Sequence, residues 1–195
     1  MDAPTPRWFT DTEPGHSERY VERMREMAAE GADLAGEARL IDAMLPRRAR
    51  VLDAGCGPGR VGAALYACGH EVVGVDADPV LIAAAKYDHP GPEWILADLT
   101  ELRLDGDLFD AAVLAGNVLP FAAPGTQNVI LRRVGEHLVD HGRAVVGFHT
   151  DLYSVAELDA ALPDTGFTRE LILATWDLVP WHDAADFAVC VLRKG

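Results

Sequence analysis

Apolar positions along the chain follow two different periods. Residues 15–31, GHSERYVERMREMAAEG, set Tyr20, Met24, Met27 and Ala28 three to four apart, which predicts an amphipathic helix ended by Gly31. A second helical run over 34–45 turns Leu40, Ile41, Met44 and Leu45 to one side and stops at Pro46. From residue 50 onward the pattern changes to short apolar runs separated by helical stretches. The runs are RVLDAG (50–55), EVVGVD (71–76), EWILAD (93–98), FDAAVLAG (109–116), RAVVGFHT (143–150), ELILATWDL (170–178) and FAVCVLRK (187–194). Helices are expected over 60–68, 79–87, 127–139 and 155–162, with Asp78-Pro79 as a helix start and Ser154 and Glu157 in capping-box register.

Strands alternating with helices are βαβ units, so the expected fold is α/β, with a doubly wound, Rossmann-like, mostly parallel sheet of seven strands. The last two runs are too close for a crossover helix and must pair antiparallel, which reverses the last strand. The reading divides the chain into an N-terminal helical cap or lid, 1–48, and a core, 49–195.

The stretch VLDAGCGPGR, residues 51–60, runs a strand into Asp53 and then Gly55, Gly57 and Gly59 before a helix at Arg60. Glycines there permit positive φ and close ligand approach, and the helix's first amides can face a polar group. Gly57, Gly59 and Gly62 also fit GxGxxG with Asp76 downstream, the dinucleotide fingerprint. The fit is poor, because DAGC intervenes between strand and first glycine and places an ionisable Asp53 at the strand end. A carboxylate at that position suits a ligand with a positive end. Asp53, Asp76 and Asp98 close three successive strands, and in an open α/β sheet those ends face the ligand crevice.

VLDAGCGPGR, VVGVDAD and ILADL, in this order, resemble the successive cofactor motifs of class I S-adenosylmethionine-dependent methyltransferases. The resemblance covers about residues 50–194 and includes that family's reversed final strand. It implies S-adenosylmethionine as cofactor, with S-adenosylhomocysteine as product. It places the loop of Asp53, Gly55, Cys56, Gly57 and Gly59 beside the methionine part, with Asp53 facing the ammonium directly or through water. Asp76 would accept from the ribose hydroxyls, Asp98 and the Leu99 amide would hold the adenine edge, and Ala77 or Asp78 would line the ring. Ala115, Gly116 and Asn117 would pass near the transferable methyl group. The loop lacks the NPPY or DPPY pattern of methyltransferases acting on nucleobase amines.

Methyl transfer from a sulfonium is an in-line displacement, so alignment and desolvation are the protein's main contributions. A base helps when the nucleophile carries a proton. His149, at the end of the fifth strand, is the catalytic candidate, against the alternative of a hydrogen-bonded loop histidine. His16 and Tyr20 are candidate lid residues, because related enzymes often cover their ligands with N-terminal helices, whereas Trp8 and Phe9 read as anchors by burial. Trp176 and Trp181 in the final hairpin admit three readings: a wall for a flat substrate, the seam of a homodimer, or burial at the core edge. His182, Asp183 and Asp186 lack a separated ligand set, so no metal is expected. Cys56 reads as a small packing residue.

Composition narrows the partners. Seventeen Lys and Arg against 31 Asp and Glu give a formal charge of −14, which disfavours nucleic acid and anionic membranes. The three cysteines show no CxxC spacing and imply no disulfide framework, and neither a signal core nor an 18-residue apolar span is visible, so a cytoplasmic location is expected. The leading reading is methyl transfer to an O, N or C atom of a small molecule. The rivals are an NAD(P)-dependent oxidoreductase, a non-catalytic S-adenosylmethionine-binding or interaction protein, and methylation of a basic protein tail.

Overall fold

The computed structural model describes residues 4–195, so the first three residues of the expected cap lie outside the described residues. Seven strands form one sheet in the order β3-β2-β1-β4-β5-β7-β6. They are β1 (Arg50–Ala54), β2 (Glu71–Asp76), β3 (Glu93–Leu96), β4 (Phe109–Leu114), β5 (Leu138–His149), β6 (Phe167–Leu173) and β7 (Phe187–Lys194). β1 pairs in parallel with both β2 and β4, while β7 lies antiparallel between β5 and β6. The expected reversed last strand is therefore present, inserted one place in from the edge.

Alternating side chains divide the core between the two faces of the sheet. Leu52, Ala112, Val146 and Cys190 enter one cluster, and their neighbours Val51, Val113, Val145 and Val189 enter the other. Burial on both faces is why these strands read as unbroken apolar runs.

Among the described residues eight α-helices flank the sheet or cap it. α1 (Arg7–Thr10), α2 (His16–Ala29) and α3 (Gly36–Met44) precede it. α4 (Arg60–Ala67), α5 (Pro79–Asp88), α6 (Val118–Phe121), α7 (Gln127–Glu136) and α8 (Val155–Ala161) follow the strands. α2 docks on α5 through Val21, Leu81 and Ala84, with Arg25 paired to Asp88 at 2.9 Å. Val21 is its buried anchor; Met24 and Met27 are half-buried and Ala28 is exposed. α3 docks on α4 through Ala38, Leu40 and Ile41 against Val61 and Leu65.

Several boundaries differ from the sequence reading for local reasons. β5 starts at Leu138, before the expected 143, because Leu138 pairs with Phe109 and the turn-like Asp140-His141-Gly142 is a bulge with His141 at φ +63°. That start also shortens α7, which ends at Glu136. β6 runs over Phe167–Leu173, so Trp176 falls in the turn beyond it. α1 and α6 are single turns, too short to show a period.

The chain winds outward from β1 to β3 and then returns to β4 on the other side of β1. This reversal opens a crevice at the carboxyl ends of β1 and β4.

Candidate functional site

The glycine loop begins where β1 ends. The amides of Gly55 and Cys56 both donate to Val75 O, at 2.7 and 3.0 Å, which carries the strand pairing into the loop. Gly57 then takes φ +55°, and a Cβ there would meet only the Tyr20 ring at 4.0 Å, so this backbone faces open space. Its N–H donates to Asp76 Oδ2 at 2.8 Å, and the Asp78 N–H donates to Asp76 Oδ1 at 2.9 Å. Asp76 is thereby fixed at the end of β2, with further lone pairs on each oxygen available to a ligand.

Asp53 is 1% exposed, and its Oδ2 accepts the Gly62 N–H of α4 at 2.8 Å. Burial pushes its carboxyl up to about 7, opposed by the Gly62 amide and the nearby Arg60 guanidinium. Burial also raises Asp76, opposed by the amides of Asp78 and Gly57. Gly62 keeps α4 close to the sheet. A Cβ there would lie 2.9 Å from Asp53 Oδ2 and 2.9 Å from the Trp94 ring, so its absence lets α4 close on the carboxylate.

These groups line one cavity that opens to solvent at its mouth. Asp53, Gly55, Cys56 and Gly57 come from the loop, Asp76 and Ala77 from the end of β2. Asp98 and Leu99 come from the end of β3, and Ala115, Gly116 and Asn117 from the end of β4. Asp98 Oδ1 accepts the Thr100 N–H and hydroxyl, at 2.8 and 2.7 Å. Asn117, at φ +67°, accepts the His149 N–H on its side-chain oxygen at 2.7 Å and so ties the β4 loop to the end of β5. The Cys56 thiol is pushed up by burial, which leaves it a packing group.

Other expected residues stand elsewhere. Gly59 lies outside the lining as the left-handed cap of α4, where a Cβ would sit 2.9 Å from Trp94. Asp78 also lies outside it and is 2% exposed: Oδ1 caps α5, and Oδ2 accepts the Trp8 indole N–H and the Ser17 hydroxyl. His149 is exposed beyond the cavity, its ring against Phe187 at 5.0 Å and Nδ1 3.3 Å from Asp186 O. His16 sits behind the lining, edge-on to Trp8 at 4.7 Å, while Tyr20 does line the cavity. Trp176 and Trp181 are half-buried and pack on opposite faces of the sheet, so they form no common wall. Both lie in the connection between β6 and β7, where no strand alternation fixes a shared direction.

The cavity also takes residues the sequence reading passed over. Trp8 and Phe9 line it rather than serving only as anchors, and Phe121 and Ile130 complete an apolar wall. Arg60 borders the loop and forms a two-pronged ion pair with Glu37 of α3, while donating to Leu34 O at 2.8 Å. Its place directly after GPG was a visible signal. Phe121 carried none, because α6 is one turn long.

The observed residues fit the cofactor that the sequence motifs imply. A buried carboxylate faces an open glycine cradle, and two further strand-end carboxylates stand along the same cavity. A family model described as a methyltransferase domain matches residues 51–142. A TehB-like SAM-dependent methyltransferase from Corynebacterium glutamicum is 41% identical and superposes with a TM-score of 0.88, covering 94% of this chain and 100% of that one. SAM-bound CalS10, an amino pentose methyltransferase from Micromonospora echinaspora, shares the fold at 17% identity and a TM-score of 0.68, over 88% of this chain and 97% of that one. A malonyl-[acyl-carrier protein] O-methyltransferase from Salmonella typhimurium is 36% identical over 64 residues, 33% of this chain and 26% of that curated relative, so the match spans about a quarter of its length. Sequence motifs, sheet order, cavity and full-length likeness agree, and the chain belongs to the class I S-adenosylmethionine-dependent methyltransferases, with S-adenosylmethionine as cofactor.

Proposed function

We propose that this chain transfers the methyl group of S-adenosylmethionine to an O, N or C nucleophile of a small molecule. One observation carries the reading: a single cavity joins Asp53, Asp76 and Asp98 to an apolar wall of Trp8, Phe9, Phe121 and Ile130. Polar groups that can hold a cofactor thus stand beside a compartment suited to a compact, largely apolar acceptor.

The bound cofactor supplies a methyl group on a sulfonium, a good leaving group. Asp76, fixed by two amides, accepts from the ribose hydroxyls. Asp53 answers the ammonium, and Asp98 with the Leu99 amide addresses the adenine edge. Gly57 lets the backbone approach the methionine part. Trp8, Phe9 and Phe121 exclude water and fix the line of attack, the contributions an already activated methyl donor needs. His149 takes no proton in this scheme, because its imidazole stands outside the cavity; its backbone N–H instead holds Asn117 in place.

The charge of −14 supports a substrate other than nucleic acid. Among the described residues no helix is long and apolar enough to cross a membrane, and Cys56, Cys68 and Cys190 are free thiols, which supports a reducing, cytoplasmic setting. The membership of the chain in the methyltransferase family argues against the nicotinamide reading.

The test supplies methyl-labelled S-adenosylmethionine to the protein in a cell extract separated by size. Label in a small molecule other than S-adenosylmethionine, absent when the protein is omitted, is the expected result. Label confined to protein or nucleic acid would overturn the assignment of the acceptor.

A further inference from the structure

Asp78 has two carboxylate oxygens with different clients. Oδ1 accepts the Val80 and Leu81 amides at 2.8 and 3.4 Å, the ordinary work of a helix N-cap. Oδ2 is used by the N-terminal segment alone: it accepts the Trp8 indole N–H at 2.7 Å and the Ser17 hydroxyl. The cap of α5 needs only the first oxygen. The second fastens α1 and the start of α2 at one buried point.

That point determines where Trp8 stands. The indole lies edge-on to Tyr20 and to Phe121, with ring centroids 5.7 Å away in both cases, and all three rings line the cavity. Trp8 therefore spans from the cap of α5 to α6 across the cavity, as a roof. Its anchor is two residues from Asp76, and the backbone N–H of Asp78 donates to Asp76 Oδ1 at 2.9 Å. The carboxylate assigned to the ribose and the carboxylate that holds the roof are thus parts of one hydrogen-bonded segment.

We infer that Asp78 is a positioning residue that holds Trp8 as the roof of the acceptor compartment, and that cofactor at Asp76 tightens this hold through the Asp76–Asp78 hydrogen bond. The inference rests on the cofactor reading above. It reassigns Asp78 from the adenine ring to the order of events: the cofactor's arrival completes the wall against which the acceptor packs. Coupling of this kind is reciprocal, so loosening the roof must weaken cofactor binding by the factor that cofactor tightens the roof.

The test uses the full chain with S-adenosylhomocysteine as probe and reads backbone hydrogen exchange over residues 7–20. Asp78→Asn keeps an N-cap acceptor on Oδ1 but sets an amide donor against the indole N–H. Trp8→Phe keeps an aromatic ring and removes the donor together with part of the indole's bulk. In the unaltered protein the probe slows exchange of this segment by at least about fivefold. In either variant the slowing falls below about twofold and the probe binds about three- to tenfold more weakly, the worth of one hydrogen bond. The double variant binds no more weakly than Asp78→Asn alone, because both changes remove the same bond. Trp8→Phe decides the test by itself if Asp78→Asn does not fold. Undiminished slowing in the variants overturns the inference and leaves the cofactor reading standing. Failure of the unaltered protein to bind the probe overturns both.

Discussion

Asp53 and Gly62, nine residues apart, are joined by a 2.8 Å hydrogen bond that closes the start of α4 onto the end of β1. The bond exists because Gly62 has no Cβ: one built there would press on both the carboxylate and the Trp94 ring at 2.9 Å. Trp94 is 4% exposed and has little room to yield.

Gly62→Ala should therefore overpack the loop, lowering stability by about 1–3 kcal/mol, and displace Asp53 from its amide. Urea denaturation checks the first effect. Calorimetric titration with S-adenosylhomocysteine checks the second, with at least about tenfold weaker binding expected for a lost charge-assisted bond.

Asp53 also predicts a pH dependence. Its carboxyl rises from 3.8 to about 7 in the ligand-free protein, chiefly through burial. A raised carboxyl pKa favours the folded state fully below the unfolded value near 4, and that stability is lost as pH climbs through 7, by roughly 4 kcal/mol from this group. A cofactor ammonium favours the ionised form, so binding should weaken as pH falls below 7 and release a proton there. Asp53→Asn should flatten both profiles. A wild-type-like pH profile in that variant would assign the dependence to another group.

The ligand edge of the sheet does not extend to the His149 imidazole, which is exposed and rests on Phe187. His149→Ala should leave turnover within about twofold of the parent protein, since its exposed imidazole stands outside the cavity lining. Its backbone N–H still reaches Asn117. A hundredfold loss would restore the imidazole as a base.

Much of this site was legible in the sequence because it depends on strand ends. Asp53, Asp76 and Asp98 each close an apolar run that marks both the strand and the end at which the carboxylate stands, whereas the order of the strands is set by tertiary pairing. Asp78 was legible as the cap of α5, but the resemblance also set it beside the adenine ring, whereas its second carboxylate oxygen is claimed by Trp8 and Ser17, 70 and 61 residues away. Trp176 and Trp181 admitted a shared wall by their place in the final hairpin, but they pack on opposite faces of the sheet, in keeping with the alternative of burial at the core edge. Phe121 and Trp8 stand on single-turn helices that carry no period. Contacts of this kind are set by tertiary packing and leave no local trace.

The most direct measurement is a calorimetric titration of the purified chain with S-adenosylmethionine, S-adenosylhomocysteine and a reduced nicotinamide cofactor, repeated with Asp76→Ala. The account predicts binding of the first two ligands and loss of about ten- to a hundredfold in affinity with Asp76, the worth of a charge-assisted acceptor at the ribose. Tighter binding of the nicotinamide cofactor, or S-adenosylmethionine binding unaffected by Asp76→Ala, would contradict it.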